Sequence, residues 1–401
     1  MSSRPARKTR PRVVIVGANF AGLTAAMHLD PDRYDVTVVD QSPWFEWLPN
    51  VHELLSGVKK PADLRLPRRR LLARAGHRFI EAEVTRVDAR SRRVLLADGR
   101  TRDFDACIVA VGGVDETFGV PGVARHAMSF KGVADCAAIG RRLAALARSR
   151  TKKSVVIVGG GLEGVEALGE ILRRHGGHGA LEVTVIEAGS RLLPGTPAKL
   201  NTSVRSHCAR LGVRVLTGTR VTSVTPARVR LDSGESLRSD LTIWTGGAAP
   251  SPLLRASGLA RRAREWARVR PTLQSLRFDD VFVIGDAAAL PRPVSKQAFF
   301  AIQMGECAAA NVKRKLAGNA LRAFRPAPKP LLVAFGDLDT FLVAGGKAFA
   351  SPAFAAAKEG VFQLTMAQFD PPVRTSSALR LGSRLSGAAA RIAWPAITTR
   401  S

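Results

Sequence analysis

Two stretches of this chain share one pattern of apolar and small residues. VVIVGANFAGLTAA (13–26) begins with four consecutive apolar positions, breaks at a glycine turn, and resumes with apolar residues at helical spacing. KKSVVIVGGGLEGVEALGEIL (152–172) repeats that order: a short apolar run, a cluster of glycines, then a helical pattern. Each reads as strand–turn–helix. A further strand follows each one, YDVTVVD (34–40) after the first and LEVTVIE (181–187) after the second, and both end on an acid. The pattern predicts an α/β fold with two Rossmann-like units.

The turns carry candidate chemistry. In the second copy Gly159, Gly161 and Gly164 spell the full G-x-G-x-x-G fingerprint, with Leu162 inside it. Such glycines permit a tight turn, close approach of backbone to a pyrophosphate, and close helix–strand packing. The helix N-terminus then offers free N–H groups and the positive end of its dipole to the phosphates. In the first copy Gly17 and Gly22 hold the outer glycine positions, while Asn19 takes the middle one and Phe20 and Ala21 follow. Asparagine tolerates left-handed backbone better than most residues. A nucleotide site is therefore expected here too, with the Asn19 side chain crowding the phosphate approach.

The two strand-end acids complete the pattern. Asp40 lies 18 residues beyond Gly22 and Glu187 lies 23 beyond Gly164, where a carboxylate accepts hydrogen bonds from a ribose diol. A carboxylate repels a 2′-phosphate, so Glu187 favours NADH over NADPH; Arg191 nearby works against that preference. One fingerprint alone is a weak signal. Two in one chain, each with its acid, predict two nucleotides, and the usual reason is a flavin and a nicotinamide exchanging a hydride.

Composition narrows the classes. A length of 401 residues suggests two or three domains, and 46% hydrophobic residues suffice for real cores. No run of about 18 uncharged apolar residues occurs, so no membrane-crossing helix is expected. The basic opening MSSRPARKTRPR lacks the apolar segment of a secretory signal, and residues 1–11 read as a disordered tail. The four cysteines (Cys107, Cys136, Cys208 and Cys307) form no C-x-x-C, which argues against a disulfide scaffold, a zinc ribbon or a local redox dithiol. Cys107, inside ACIVAVGG, reads as a small core residue.

The net charge of +28 leaves two readings: an anionic partner, either nucleic acid or a membrane surface, or an arginine-rich surface of compositional origin. The charge is spread along the chain, aromatics are 6%, and no nucleic-acid motif accompanies it, which disfavours a dedicated nucleic-acid module. His175 and His178 in RHGGHG supply too few ligands, and no metal is assigned.

With these motifs in place the chain resembles the two-dinucleotide-binding flavoprotein reductases. FDACIVAVGGVDETFGVPG (104–122), SDLTIWTGGAAPSPLL (239–254), DDVFVIGDAAALP (279–291) and EAEVTRVD (81–88) match that family's later motifs, so the resemblance covers roughly residues 12–325. Within it the chain is most similar to type II NADH dehydrogenases, with their apoptosis-inducing-factor-like and sulfide:quinone relatives. FEWLPNVHELLSG (45–57), TIWTGG, GVEALGE with Glu166 and Glu170, and SKQAFFAIQMGECAAANV (295–312) carry that closer likeness.

The resemblance implies FAD at Gly17, Asn19, Phe20, Ala21, Gly22 and Asp40, at Val84 beside the adenine, at Ala110 and Gly112, at Gly285 and Asp286 on the ribityl chain, and at Ala298. It implies NADH at Gly159, Gly161, Leu162, Gly164, Glu187, Gly246 and Gly247. Glu166 is then the catalytic candidate, tuning the site or handling a proton near nicotinamide and flavin. Its bland alternative is a glutamate favoured in the first turn of a helix. The implied activity is FAD-dependent NADH:quinone oxidoreduction.

Two departures bear on the acceptor. Aligned on Gly305, the relatives' quinone-site glutamines fall on Phe299, Gln303 and Met304, and Lys296 matches the apoptosis-inducing-factor-like or sulfide:quinone branches better. Phe299 wards a quinone pocket or is plain core; Gln303 bonds a quinone carbonyl or faces solvent. A soluble reductase serving ferredoxin or rubredoxin, and a flavoprotein that binds nucleic acid, stay open as alternatives. So does a homodimer.

The expected organisation is an FAD domain over 12–150 and 266–325, an NAD(H) domain over 151–265, and a C-terminal domain over 326–401. In its last stretch Leu381, Leu385, Ala388 and Ile392 recur at helical spacing among Arg380, Arg384 and Arg391, with Trp394 following. That composition suits a helix over 378–394 lying in a lipid interface, and equally a frayed tail or a helix packed on its own domain. With a lipid-soluble quinone, the expected location is cytoplasmic, peripheral on the inner face of the cytoplasmic membrane.

Overall fold

The computed structural model describes residues 10–176, 179–328, 330–351 and 353–370. The expected tail over 1–11 lies outside them except for its last two residues. His178 and the expected interfacial helix over 378–394 lie outside them entirely. The described residues divide into two compact units, one made of 10–46, 65–115 and 248–327, the other of 47–64, 116–247 and the described residues beyond 327.

The first unit is built on a five-stranded parallel sheet in the order Val281–Val283, Ala106–Val109, Arg12–Val16, Asp35–Asp40, Arg78–Glu81. Its central strands are runs of valine and isoleucine, which suit a pleated surface covered on both faces. Val13, Ile15, Val38, Ile108 and Phe282 are fully buried. Helix Phe20–Met27 follows the first strand, and every residue from Phe20 to Ala26 is buried. Helix Ala298–Leu316 packs against it so closely that a Cβ at Gly305 would sit 2.5 Å from the Ala21 carbonyl oxygen. The antiparallel strands Val84–Asp88, Arg93–Leu96 and Thr101–Asp103 form a separate small sheet of this unit.

The second unit repeats the plan. Its five-stranded sheet runs Met128–Ser129, Leu241–Trp244, Lys153–Val158, Leu181–Glu187, Arg214–Thr217, and all of its pairs are parallel. Helix Leu162–His175 follows the Lys153–Val158 strand. Val156, Ile186 and Trp244 share a core with Val221, Val229 and Leu237 of a three-stranded antiparallel sheet. The described residues beyond 327 form the antiparallel strands Leu331–Phe335, Asp339–Ala344 and Lys347–Ala350 and the helix Ala353–Phe369. Helix Leu162–His175 meets that sheet at Gly169, where a Cβ would lie 2.5 Å from the Gly336 nitrogen. No helix among the described residues is long and apolar enough to cross a membrane.

Candidate active site

The first glycine turn joins strand Arg12–Val16 to helix Phe20–Met27. Gly17 adopts φ +92°, and a Cβ there would sit 2.4 Å from the Ala110 carbonyl oxygen. A Cβ on Gly22 would sit 1.8 Å from the Gly17 carbonyl oxygen, so these two residues are glycine because backbone meets backbone. Gly112, by contrast, faces open space at φ +62°. Asn19 is the residue before the helix, and its Oδ1 accepts from the Glu46 N–H at 3.1 Å. The side chain is thus tied to the Trp44–Glu46 strand. Phe20 stacks edge-on to Phe45 at 5.2 Å.

Asp40 closes the turn. Its Oδ2 accepts from the Ala18 N–H at 2.7 Å, and its Oδ1 accepts from the Ser42 N–H at 2.9 Å. Nothing in the sequence distinguishes Arg68 from its neighbours in the run Arg68–Arg69–Arg70. It is 4% exposed. Its guanidinium pairs with Asp40 at 2.6 Å and donates to the carbonyls of Ala18 (2.9 Å) and Ser42 (2.7 Å). One arginine therefore braces both the turn and its acid.

Gly285 and Asp286 form a single helical turn, with Gly285 at φ +65° and 3.2 Å from the Ala21 Cβ as a Cβ position. Lys296 donates to the Asp286 carbonyl and lies 3.4 Å above the Trp266 ring. Burial lowers the Lys296 pKa, against the pull of Asp286. Gly285, Asp286, Trp266, Lys296 and Met304 share the wall of a cavity of about 240 Å³. Ala298 opens the long helix; Phe299 and Phe300 pack edge-on at 5.5 Å, and both are half-buried. Gln303 Oε1 accepts from the Ala327 N–H at 2.9 Å. Val84 is half-buried at the start of its own small sheet, paired with Leu96.

The second turn is a close copy. Gly159 takes φ +112° with a Cβ position 2.4 Å from Thr245 Oγ1, and a Cβ on Gly164 would lie 1.9 Å from the Gly159 carbonyl oxygen. Gly161, which precedes the helix opened by Leu162, has nothing within 4 Å of its Cβ position. Outer glycines are required by packing and the middle one opens outward, as a pyrophosphate cradle needs. Glu187 Oε2 accepts from Gly160 N–H and Oε1 from Gly189 N–H, both at 2.6 Å. Arg191 donates one hydrogen bond to the Thr196 carbonyl at 2.7 Å. Gly246 and Gly247 follow strand Leu241–Trp244, beside Trp244 and Phe118.

The helix begins at Leu162, so Glu166 stands beyond its first turn, too far in for the dipole to explain it. Its carboxylate instead accepts from Lys358 Nζ at 2.7 Å and faces His52 Nδ1 at 3.6 Å. Lys358 Nζ also lies 3.2 Å from His52 Nε2. An ammonium only donates, so Nε2 is the acceptor and His52 carries its proton on Nδ1, toward Glu166. Burial, with the Lys358 charge, pushes the His52 pKa down to about 3 against the pull of Glu166. Burial by itself raises the Glu166 carboxyl; the Lys358 ammonium and the Ala334 N–H hold it below the usual range, and His52 adds to that pull only when it is protonated. The trio is thus a carboxylate, an ammonium and a neutral imidazole, all largely buried.

Behind it Glu170 accepts from Ser56 and, at 3.2 Å, from Arg173; burial raises its pKa. The sequence held one signal for Lys358: Lys358 and Glu359 are the only charges in the Ala353–Phe369 helix. The cysteines form no disulfide, and Cys107, Cys136 and Cys208 are buried. Burial raises the pKa of Cys107, and lifts Cys208 and Cys307 to about 11.

Comparison with known proteins agrees with this geometry. The pattern of the family described as pyridine nucleotide-disulphide oxidoreductases matches residues 11–305. Demethylphylloquinone reductase NdbB of Synechocystis sp. is 29% identical over 371 residues, 88% of this chain and 91% of that protein. The type II NADH:quinone oxidoreductase of Staphylococcus aureus is 28% identical over 371 residues, 85% of this chain and 91% of that protein. Among solved structures, NDH2 from Plasmodium falciparum in complex with NADH superposes with a TM-score of 0.80 at 16% identity, covering 96% of this chain and 98% of that one. The sulfide:quinone oxidoreductase of Aquifex aeolicus reaches 0.80 at 18% identity, covering 90% and 91%.

Proposed function

The chain belongs to the pyridine nucleotide-disulphide oxidoreductase family, and on that premise we propose that it is a flavoprotein oxidoreductase that oxidises NADH and reduces a quinone. Its relatives over most of its length are quinone reductases by name. The observation that carries the reading is the doubled turn: Gly22 against Gly17 and Gly164 against Gly159, each followed by a strand-end acid whose oxygens are aimed at the turn. The dithiol of the family's name has no counterpart here: the cysteines form no disulfide, and burial raises the thiol pKa of Cys107, Cys208 and Cys307, so the acceptor is not a disulfide reduced through a cysteine pair of this chain.

In this reading FAD occupies the first turn. Asp40 uses three of about four lone-pair positions on Ala18, Ser42 and Arg68 and keeps one for a ribose hydroxyl. Asp286 takes the ribityl chain. Bound flavin supplies the chemistry of accepting a hydride and handing on two electrons. NADH occupies the second turn, with its pyrophosphate over Gly161 and its ribose on Glu187, whose two oxygens each retain a lone pair. The same carboxylate disfavours a 2′-phosphate.

Reduction of a quinone by NADH takes up one proton. Glu166, kept anionic beside the Lys358 ammonium, is the candidate to manage it. Gln303, its oxygen held by Ala327, keeps its amide N–H groups for a quinone carbonyl, with Phe299 as an apolar wall. We place the protein at the inner face of the cytoplasmic membrane, since quinones dissolve in lipid and Val361 and Leu364 of the Ala353–Phe369 helix are about half exposed.

The test is direct. Purified protein is expected to be yellow, to bleach when NADH is added without oxygen, and to recover its colour as menadione is titrated in. Recovery with ferredoxin but not with menadione would replace the quinone by a redox protein. A colourless protein that takes up no FAD would overturn the whole reading. Flotation with anionic vesicles tests the membrane assignment.

A further inference from the structure

We infer that Phe118 is a binding residue for the nicotinamide half of the dinucleotide, a step that rests on the second glycine turn taking such a ligand. Phe118 is the largest exposed side chain by fraction among the big hydrophobics of the described residues, at 62%. Its backbone sits at φ +52°, a left-handed conformation that glycine or asparagine adopts far more readily. The next residue is also left-handed, at φ +72°, and there it is a glycine, Gly119; at Phe118 the chain keeps an aromatic ring where both water and backbone disfavour it.

The loop is clamped into that conformation from two sides. The Phe118 N–H donates to Glu116 Oε1 at 2.6 Å, and Glu116 is 9% exposed. The Glu116 carbonyl in turn accepts from Trp244 Nε1 at 2.8 Å. The ring is thereby laid against bare backbone: Cβ positions on Gly246 and Gly247 would lie 3.1 Å and 3.2 Å from it. Trp244 backs it, with ring centroids 6.5 Å apart.

Sheet order says what this surface faces. In a doubly wound sheet a dinucleotide lies across the carboxyl ends of the strands at the point where strand order reverses. Here that point lies between Lys153–Val158 and Leu241–Trp244. Pyrophosphate lies over Gly161 and the adenosine ribose on Glu187, at the end of the strand on one side. The other half of the ligand is left to the end of Leu241–Trp244, which is Gly246 and Gly247 with the Phe118 ring beside them. An aromatic face next to glycine backbone suits a flat nicotinamide ring. Strained, over-determined residues of this kind concentrate at ligand sites.

The experiment titrates NAD⁺ and ADP-ribose into the flavin-loaded protein by calorimetry, for the native chain and for Phe118→Gly, Phe118→Asn and Phe118→Tyr. Glycine and asparagine both accept the backbone angle, so the thermal midpoint is expected to stay within about 2 °C. NAD⁺ is expected to bind about fivefold to tenfold more weakly to both, while ADP-ribose, which lacks the nicotinamide, changes by less than about twofold. Phe118→Tyr is expected to restore NAD⁺ binding. Equal loss of both ligands, or loss of neither, overturns the inference while leaving the dinucleotide site intact. A native chain that binds neither ligand overturns the site itself, and the inference with it.

Discussion

Lys358 Nζ donates to Glu166 Oε1 at 2.7 Å, joining residues 192 positions apart through groups that are only 11% and 16% exposed. A pair so placed is defined by what happens when half of it is removed. Replacing Lys358 by methionine keeps the length of the side chain and strands the carboxylate. The expected cost is about 3 kcal/mol of stability, read as a lower denaturation midpoint. In the proposed reaction the same variant should lose most of its quinone turnover while NADH still bleaches the flavin in a rapid-mixing experiment.

His52 makes stability depend on pH. The unfolded chain binds a proton there below about pH 6.5, whereas the folded imidazole stays neutral down to about 3. Stability is therefore complete above pH 6.5 and falls as pH drops through that window. Between pH 6.5 and 5 this one group removes about 2 kcal/mol. His77, also lowered by burial, adds in the same direction. Urea midpoints measured against pH should show a shallower acid slope in His52→Gln than in the native chain; identical slopes would contradict the assignment.

The glycines of the two turns separate into those that pack and those that open. Gly22→Ala and Gly164→Ala each drive a Cβ to within 2 Å of a carbonyl oxygen, 1.8 Å and 1.9 Å respectively. The first should release the flavin on purification; the second should keep the colour and lose reduction by NADH. Gly161→Ala meets nothing in the protein, so it should fold normally and raise the KM for NADH about tenfold.

Glu187→Gln tests nucleotide choice. The change keeps the size of the side chain and removes the charge that opposes a 2′-phosphate. The ratio of kcat/KM for NADH over NADPH should fall by about tenfold. An unchanged ratio would mean that selection lies elsewhere in the site.

Thiol chemistry should be dispensable. Cys208 and Cys307, at about 11, are protonated at neutral pH, and Cys107 is buried and raised as well. Alkylation with iodoacetamide, and replacement of all four cysteines by serine or alanine, should leave NADH oxidation within about twofold of the native rate. Strong inhibition would bring the sulfide:quinone branch back into consideration.

The sequence by itself determined the two nucleotide cradles. Their strands, turns and acids are local: Gly17 to Asp40 and Gly159 to Glu187 are short continuous segments, and period, glycine spacing and a terminal carboxylate leave few structures open to them. The tertiary structure alone decided how charged side chains are paired. In sequence Arg68 is one of three consecutive arginines, and only the fold sets it against Asp40; only the fold likewise gives the Asn19 oxygen the Glu46 N–H. Glu166 was legible as a catalytic candidate, but not its partners: His52 and Lys358 reach it from more than a hundred positions away on either side. Periodicity records which face of an element is buried, but not which distant group meets it there. A buried charge must find a partner in space, and that partner has no fixed distance along the chain.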